Sequence, residues 1–199
     1  LGRLRLEKDE RNNETERTYD EYGRVLTLTL PDGSRVTRCY APHLTNDSVA
    51  SISVTGPDAY GQTRTWLLGT RTFDSLGRVT ELNCGGRTTT YTYEGASPAP
   101  SLVTLPSDNI LEYKYIPELG NLVSSLKVNG IMQTFNYDPV TGGLLTAKEG
   151  STEDHQSWNP SGSLASEAFS RDGEKRQAGY TYTLAGELTG CTDICAAQT

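Results

Sequence analysis

Histidine is the side chain most often used for acid–base catalysis near neutral pH, and this sequence contains two, His43 and His155. Asp47 follows His43 closely and Asp154 directly precedes His155, so a Ser–His–Asp arrangement could be drawn around either histidine. Any chain with this many Ser and Asp residues offers such combinations by chance. We therefore expect no catalytic residue, and no enzyme activity, in this chain.

Carboxylates in pairs could hydrolyse glycosidic bonds, and oxygen ligands at regular spacing could bind calcium. The acidic clusters are Glu7, Asp9 and Glu10, and Glu149, Glu153 and Asp154. Both lie in polar, charged stretches typical of solvated loops. No stretch has the 12-residue ligand spacing of an EF-hand. We expect no cofactor and no metal.

The cysteines are Cys39, Cys84, Cys191 and Cys195. Only the last two are near neighbours, and no second close pair faces them, so the spacing does not fit a zinc site. A disulfide framework is also not favoured at this density and chain length. We interpret the cysteines as incidental thiols.

The charge and hydropathy of the chain restrict its partners. The net charge is −7, and no cluster of Lys and Arg forms the basic surface that nucleic-acid binding requires. No apolar run approaches the roughly 20 residues of a membrane-spanning helix, and no signal peptide is visible. The chain opens in mid-pattern at Leu1-Gly2-Arg3-Leu4, which resembles the tail of a repeat. We expect it to be part of a longer protein in which the repeats continue.

The elements that position these side chains come from a repeated sequence phrase. Each copy begins with an alternating stretch rich in Thr and Tyr that ends in an aromatic residue. An Asp or Asn often follows the aromatic residue, and then come a Gly and an apolar strand. The clearest copies are Tyr19-Asp20-Glu21-Tyr22-Gly23-Arg24-Val25 and Phe73-Asp74-Ser75-Leu76-Gly77-Arg78-Val79, followed by Tyr137-Asp138 with Gly142. Looser copies contain Tyr115 with Gly120, Trp158 with Gly162, and Tyr182 with Gly186. Their glycines recur every 20–24 residues or at about twice that interval. Each long interval is expected to hide a worn copy, near Tyr40 and near Tyr93.

Each position of the phrase has a physical reason. Alternation before the aromatic places successive side chains on opposite faces of a strand. Asp20, Asp74 and Asp138 can accept hydrogen bonds from nearby amides, and the glycine supplies a positive φ. Further hairpin turns are predicted at Pro31-Asp32-Gly33, Asn129-Gly130 and Asp172-Gly173. Ser163 and Glu187 replace the Arg in later copies, so we interpret that position as a tolerant turn residue.

The predicted fold is all-β: residues 1–199 form a single array of about nine degenerate hairpin repeats, stacked antiparallel into a curved sheet without substantial helix. A two-stranded hairpin is too small to be stable alone, so each must pair with its neighbours.

The Tyr-Asp-x-x-Gly-Arg phrase on this period resembles the RHS/YD-repeat family, which includes bacterial polymorphic toxins, the B and C components of insecticidal toxin complexes, and teneurins. The resemblance covers nearly the whole chain. It implies an arc of a hollow β-shell that encloses a toxic polypeptide. The implied partners are other RHS repeats of the same parent, the enclosed toxin and other toxin-complex subunits. It also implies synthesis in the cytoplasm and an extracellular destination as part of a secreted bacterial toxin.

The resemblance has a limit at the C-terminal end. Toxin-bearing members end their repeats in a segment with a self-cleaving aspartyl site, and nothing after Tyr182 matches that segment. Neither self-cleavage nor toxin chemistry is therefore expected here. The function we expect is that of a structural wall segment.

Carbohydrate binding is the alternative function. Exposed aromatic rings on a sheet can stack on sugars, and Trp66 and Trp158 are the candidate contacts. Trp158, however, occupies the aromatic position of the repeat, where packing against a neighbouring hairpin explains it without a ligand.

Overall fold

The chain folds into short antiparallel strands joined by tight turns. A computed structural model describes residues 2–42, 44 and 48–195, with the backbone alone for 194 and 195. The strands are β1 (Leu6–Lys8), β2 (Glu14–Tyr19), β3 (Val25–Thr29), β4 (Arg35–Tyr40), β5 (Val49–Pro57), β6 (Thr63–Phe73), β7 (Val79–Cys84), β8 (Arg87–Thr92), β9 (Leu102–Thr104), β10 (Ile110–Ile116), β11 (Leu122–Val128), β12 (Ile131–Tyr137), β13 (Leu144–Glu149), β14 (Thr152–Trp158), β15 (Leu164–Arg171), β16 (Glu174–Tyr182) and β17 (Leu188–Cys195). The only helix among the described residues is a 3-10 turn at Pro117–Leu119. The prediction of an all-β fold is confirmed.

The chain divides into two compact units. Unit 1 comprises Leu1–Pro98 and Thr104–Asp108, and unit 2 comprises Ala99–Val103 and Asn109–Thr199. Strands β1 to β8 lie in unit 1, and strands β10 to β17 lie in unit 2. The prediction of one repeat array over residues 1–199 stays a prediction.

Within each unit, every strand pairs antiparallel with the next one along the chain. Two of the three predicted hairpin turns have two consecutive positive φ values, whereas at Pro31-Asp32-Gly33 only Gly33, with φ 81°, has one. Asn129 and Gly130 have φ values of 49° and 91°, and Asp172 and Gly173 have φ values of 51° and 89°. Two consecutive positive φ values characterise a type I′ turn, whose twist matches that of the flanking strands.

A register shift stands at the aromatic residue in seven of the described strands. At each shift one extra residue of the partner strand is accommodated opposite the step that leads to the aromatic. The aromatic then pairs with the first residue of the partner strand or, for Tyr115, with the second. The shifts precede Tyr19, Tyr40, Phe73, Tyr115, Tyr137, Trp158 and Tyr182. A β-bulge increases the local twist and re-aims the following side chain. The sequence alone did not predict these bulges.

The two faces of the strands differ in chemistry. In unit 1 one face carries short hydroxyl side chains, which pair across strands: Thr18 Oγ1 lies 2.6 Å from Thr27 Oγ1. In unit 2 the equivalent pair is Ser157 and Ser166, with 2.7 Å between their Oγ atoms. The opposite face carries the aromatic residues of the repeats.

Neither unit encloses a conventional core. Among the described residues, only Ala41, Gly56 and Val103 are buried, and the two side chains among them, Ala41 and Val103, are 6% and 8% exposed. Most apolar side chains are half-buried against neighbours in the same sheet. Stability in each unit must therefore come mainly from strand pairing and from contacts between adjacent hairpins.

Candidate functional site

The recurrent polar device of this chain is a hydrogen bond from an aromatic side chain to a backbone carbonyl in the preceding hairpin. We call this contact the aromatic latch. Six latches are found in the part of the chain that the structure describes, and their donor and acceptor residues are Tyr19 and Leu4, Tyr40 and Val25, Tyr93 and Val79, Tyr115 and Pro100, Tyr137 and Val123, and Trp158 and Leu144. The donor–acceptor distances range from 2.5 to 2.9 Å. In every case the acceptor precedes the donor by 14 or 15 residues.

The position of each acceptor explains the spacing. Val25 and Val79 are the first residues of the strand that follows a Gly-Arg turn, so the latch joins one hairpin to the start of the previous return strand. Tyr40 and Tyr93 stand where worn copies of the repeat were predicted, and both form complete latches. Phe73 occupies the same repeat position but has no hydroxyl group to donate.

In each of the two most regular copies, the Asp of the repeat accepts hydrogen bonds that hold the turn. Asp20 Oδ1 accepts a hydrogen bond from the Arg24 amide at 2.8 Å, and Asp20 Oδ2 accepts one from Arg24 Nε at 2.6 Å. The Gly23 amide donates to the Asp20 carbonyl at 3.0 Å, with Gly23 at φ 87°. One carboxylate thus closes the turn and fixes the arginine side chain.

The second copy repeats this geometry almost atom for atom. Asp74 accepts from the Arg78 amide at 3.0 Å and from Arg78 Nε at 2.7 Å. Desolvation raises the pKa of Asp74, but the hydrogen bonds from Arg78 and its positive charge outweigh this and hold the pKa below its usual value. The pKa of Asp20 is lowered in the same way by Arg24, against an opposing desolvation.

The arginine extends from its turn to the latch of the next hairpin. The Arg24 guanidinium lies 4.2 Å from the centroid of the Tyr40 ring, and the Arg78 guanidinium lies 4.4 Å from that of Tyr93. Both side chains are largely buried, at 13% and 17% exposure. The interpretation of this arginine position as tolerant stays a prediction, but in these two copies the side chain does more than complete a turn, because it forms an ion pair and a cation–π contact that joins two hairpins.

One hairpin of unit 2 has no side chain at the arginine position and has a larger aromatic residue, tryptophan, at the latch position. Gly143 occupies the position after the turn glycine where the two most regular copies have Arg24 and Arg78, and Trp158 is the latch donor. A Cβ atom on Gly143 would lie 3.0 Å from Trp158 Nε1 and 3.1 Å from its Cδ1. The indole therefore fills the space that an arginine would need. The extra volume of the Trp158 side chain is accommodated because Gly143 has no side chain.

Other aromatic residues on this face make contacts without forming latches. Tyr113 stacks on Tyr115 with ring centroids 6.0 Å apart. Tyr180 donates to Glu167 Oε1 at 2.7 Å, and this hydrogen bond, with desolvation, raises the pKa of Tyr180 to about 12. Tyr182 follows the last bulge and pairs with Leu188.

The candidate acid–base residues that the structure describes, His155 and Asp154, do not converge. His155 is exposed, and its Nε2 lies 3.4 Å from Glu153 Oε1. Asp154 is adjacent to His155 on the same strand, so the two side chains point to opposite faces. His43 and Asp47 lie outside the described residues.

The other candidate carboxylates make structural contacts. Glu7 accepts a hydrogen bond from Arg17, Asp9 accepts two backbone amides in its turn, and Glu149 accepts Gln133 Nε2. Glu10 is exposed. Neither acidic cluster presents two carboxylates to a common cleft.

The remaining candidates are thiols and tryptophans. Cys39, Cys84 and Cys191 are free and exposed, and the side chain of Cys195 lies outside the described residues. No group of ligating side chains able to hold a metal is found in the part of the chain that the structure describes. Trp66 is 41% exposed on β6, whereas Trp158 is 37% exposed and its indole N–H is already used in a latch.

Comparison with known proteins gives one family. The family described as Teneurin YD-shell matches residues 4–193. None of the curated proteins matches the chain. The described part of the chain contains no helix with the length and hydrophobicity of a transmembrane segment.

Solved structures share the fold at low sequence identity. The chain is similar to the crystal structure of TcdB2-TccC3-Cdc42, with a TM-score of 0.64 and 16% identity over 86% of this chain and 10% of that chain. It is equally similar, at 0.64 and 16%, to TcdB2-TccC3 without its hypervariable C-terminal region, over 92% of this chain and 10% of that one. For TcdB2-TccC3 the TM-score is 0.53 at 14% identity, over 97% and 12% of the two chains. The chain thus spans about a tenth of the length of these relatives.

Proposed function

The chain belongs to the teneurin YD-shell family, and we propose that it forms a wall segment of an RHS-type cocoon that encloses a toxic polypeptide until delivery. The wall would exclude proteases and cytosolic partners, and these residues would make or break no covalent bond. Its partners would be other RHS repeats of the same parent, the enclosed toxin and other toxin-complex subunits. The parent would be synthesised in the cytoplasm and act outside the cell as a secreted bacterial toxin component.

One observation carries this proposal: the conspicuous polar contacts of the repeats join one hairpin to the next. Six latches connect neighbouring hairpins at the same spacing, and in two of them an arginine ion-paired within the preceding turn also stacks on the latch ring. Residues repeated in this way serve the continuity of a sheet. A catalytic site, in contrast, requires different residue types that converge at one place.

The experiment that tests the proposal is limited proteolysis of the full-length parent protein. Replacement of residues 131–149, the β12–β13 hairpin, by a Gly/Ser linker of equal length should open the wall. The enclosed polypeptide should then be cleaved under native conditions, whereas it should be protected in the wild type.

A matched control keeps the wall intact. Replacement of the turn at residues 58–62 by a Gly/Ser linker of the same length changes the tip of the β5–β6 hairpin but no latch. Protection should survive this change. A parent whose cargo region is digested equally with and without the β12–β13 hairpin would contradict enclosure by this wall.

Carbohydrate binding is the second candidate function, and the exposure of Trp66 is the observation that favours it. A glycan array read with Trp66→Ala and Trp158→Ala tests this candidate. Because the Trp158 indole is engaged in a latch, only Trp66→Ala is expected to reduce sugar binding without a loss of stability. Binding that is unchanged by both substitutions, or no binding, would refute it.

A further inference from the structure

Three arginines line one concave site on the aromatic face of unit 1. The cavity has a volume of about 390 Å³. Its lining residues are Arg17, Gly23, Arg24, Val25, Leu28, Arg38, Tyr40 and Val49. None of these residues was singled out from the sequence as a binding residue.

The strand register explains why these arginines share a face. Arg17 of β2 pairs with Leu28 of β3, and Leu28 pairs with Val36 of β4. Directly paired residues lie on the same face of a sheet, as do residues two apart along one strand. Arg38 therefore lies on the same face as Arg17, two strands away, and the long side chains of both reach the space above Leu28.

The charges of two arginines are balanced by carboxylates of the chain. Arg24 is paired with Asp20 at 2.6 Å, and Arg17 Nη2 donates to Glu7 Oε2 at 2.8 Å. The second terminal nitrogen of Arg17, Nη1, is buried and has no hydrogen-bond partner among the described residues. A buried donor without an acceptor is costly, and an acceptor brought against this guanidinium would remove that cost.

Arg38 provides a second unmet charge. Its side chain is half-buried, and its guanidinium forms no hydrogen bond or ion pair with a residue that the structure describes. Counted over the described residues, the cavity therefore has a surplus of one positive charge, together with N–H donors on two guanidinium groups that no described residue accepts. Guanidinium groups bind planar or tetrahedral oxyanions through two parallel hydrogen bonds.

The apolar part of the lining distinguishes between oxyanions. Val25, Leu28 and Val49 lie beside the arginines, and the Tyr40 ring closes the site from below Arg24. An inorganic anion gains nothing from such a wall, whereas the methylene stem of an organic acid is removed from water there. We propose that this cavity binds an organic carboxylate of the kind at the end of a Glu side chain, held by Arg17 and Arg38. The proposal does not depend on the proposed shell function.

The experiment titrates the full chain, labelled with nitrogen-15, with N-acetyl-glutamic acid amide and follows the arginine Nε–H resonances by NMR. The resonances of Arg17 and Arg38 should shift in a saturable manner, and that of Arg35 should not. Arg35 lies on the same strand as Arg38 but on the opposite, exposed face. The uncharged isostere, N-acetyl-glutamine amide, should produce no such shift.

Variants assign the binding to the cavity. Arg38→Gln should weaken binding about tenfold, since it removes charge-assisted hydrogen bonds, while Arg35→Gln should leave the affinity within about twofold of the wild type. Circular dichroism verifies that the variants keep their β-structure. Should Arg38→Gln fail to fold, Arg38→Lys serves instead, because it keeps the charge and loses the planar fork; it should also bind more weakly than the wild type.

Several outcomes would overturn the assignment. These are the absence of a shift up to about 100 mM ligand, an equal response to the glutamine compound, and an equal loss of affinity in Arg35→Gln. Inorganic phosphate that binds as tightly as the glutamic acid compound would show that the apolar wall does not select an organic acid, and would also overturn it.

Discussion

Replacement of Tyr137 by Phe removes one aromatic latch and leaves the ring in place. The Tyr137 hydroxyl donates to the Val123 carbonyl at 2.9 Å, and the ring is half-buried. Loss of a neutral hydrogen bond of this kind costs about 1 kcal/mol, within a range of roughly 0.5–1.5 kcal/mol. The ratio of folded to unfolded chains should therefore fall about fivefold.

Urea denaturation of the full chain measures this change. The variant should unfold at a lower urea concentration with an unchanged slope, because the surface exposed on unfolding stays the same. Tyr113→Phe is the matched control. Tyr113 lies in the same unit and is also half-buried, but its hydroxyl has no hydrogen bond to any residue that the structure describes, so its removal should change the free energy of unfolding little.

The comparison of the two variants decides the role of the latch. If Tyr137→Phe and Tyr113→Phe have the same free energy of unfolding, the hydroxyl–carbonyl contact does not stabilise the fold, and the aromatic residues act through their rings alone. A change in the slope would instead indicate that the unfolding transition itself has changed.

Further predictions concern the other parts of the repeat. Gly143→Ala should destabilise the chain by about 1 kcal/mol, because the new methyl group would contact the Trp158 indole. In a Trp158→Phe background this loss of stability should be smaller. A loss of stability that is the same in both backgrounds of the double-mutant cycle would rule out the contact. The lowered pKa of Asp74 means that its ionised form stabilises the fold above its ordinary pKa of 3.8 and that this contribution is lost as the pH falls through the lowered pKa of the folded state. Asp74→Asn should therefore flatten the acid limb of the stability profile from urea titrations, and an acid limb as steep as that of the wild type would contradict this. Glu167→Gln should move the pKa of Tyr180 from about 12 toward its ordinary 10.0, measured by the NMR shift of its ring carbon Cζ, and a pKa that stays near 12 would exclude the carboxylate as the cause.

Local structure was predictable because it depends on residues close in the chain. The Asn129-Gly130 turn has a low-energy backbone that few other dipeptides adopt, so its type follows from two residues. The Asp74 turn similarly depends on a carboxylate and amides within four residues of it. Even the worn copies could be placed, since the period indicates where Tyr40 and Tyr93 must lie.

The contacts between hairpins were not predictable in the same way. A latch depends on which carbonyl the Tyr40 hydroxyl reaches, and this is determined by the register of the strands and by the bulge in the strand paired with the tyrosine. The cation–π contact of the arginine was missed for the same reason: its sequence neighbours show a turn, whereas the ring that it contacts belongs to the next hairpin. At Gly143 the sequence shows only that the repeat lacks its arginine. It does not show that the Trp158 indole lies against this glycine.

The sequence by itself therefore determined the hairpin repeat, its turns and its alternation, because dihedral preferences and side-chain periodicity act over a few residues. The tertiary structure decided which repeat residues join neighbouring hairpins and brought Arg17 and Arg38 to one cavity. Those outcomes depend on strand register, and register results from the pairing of whole strands, in which a slip of one residue would turn every side chain to the other face.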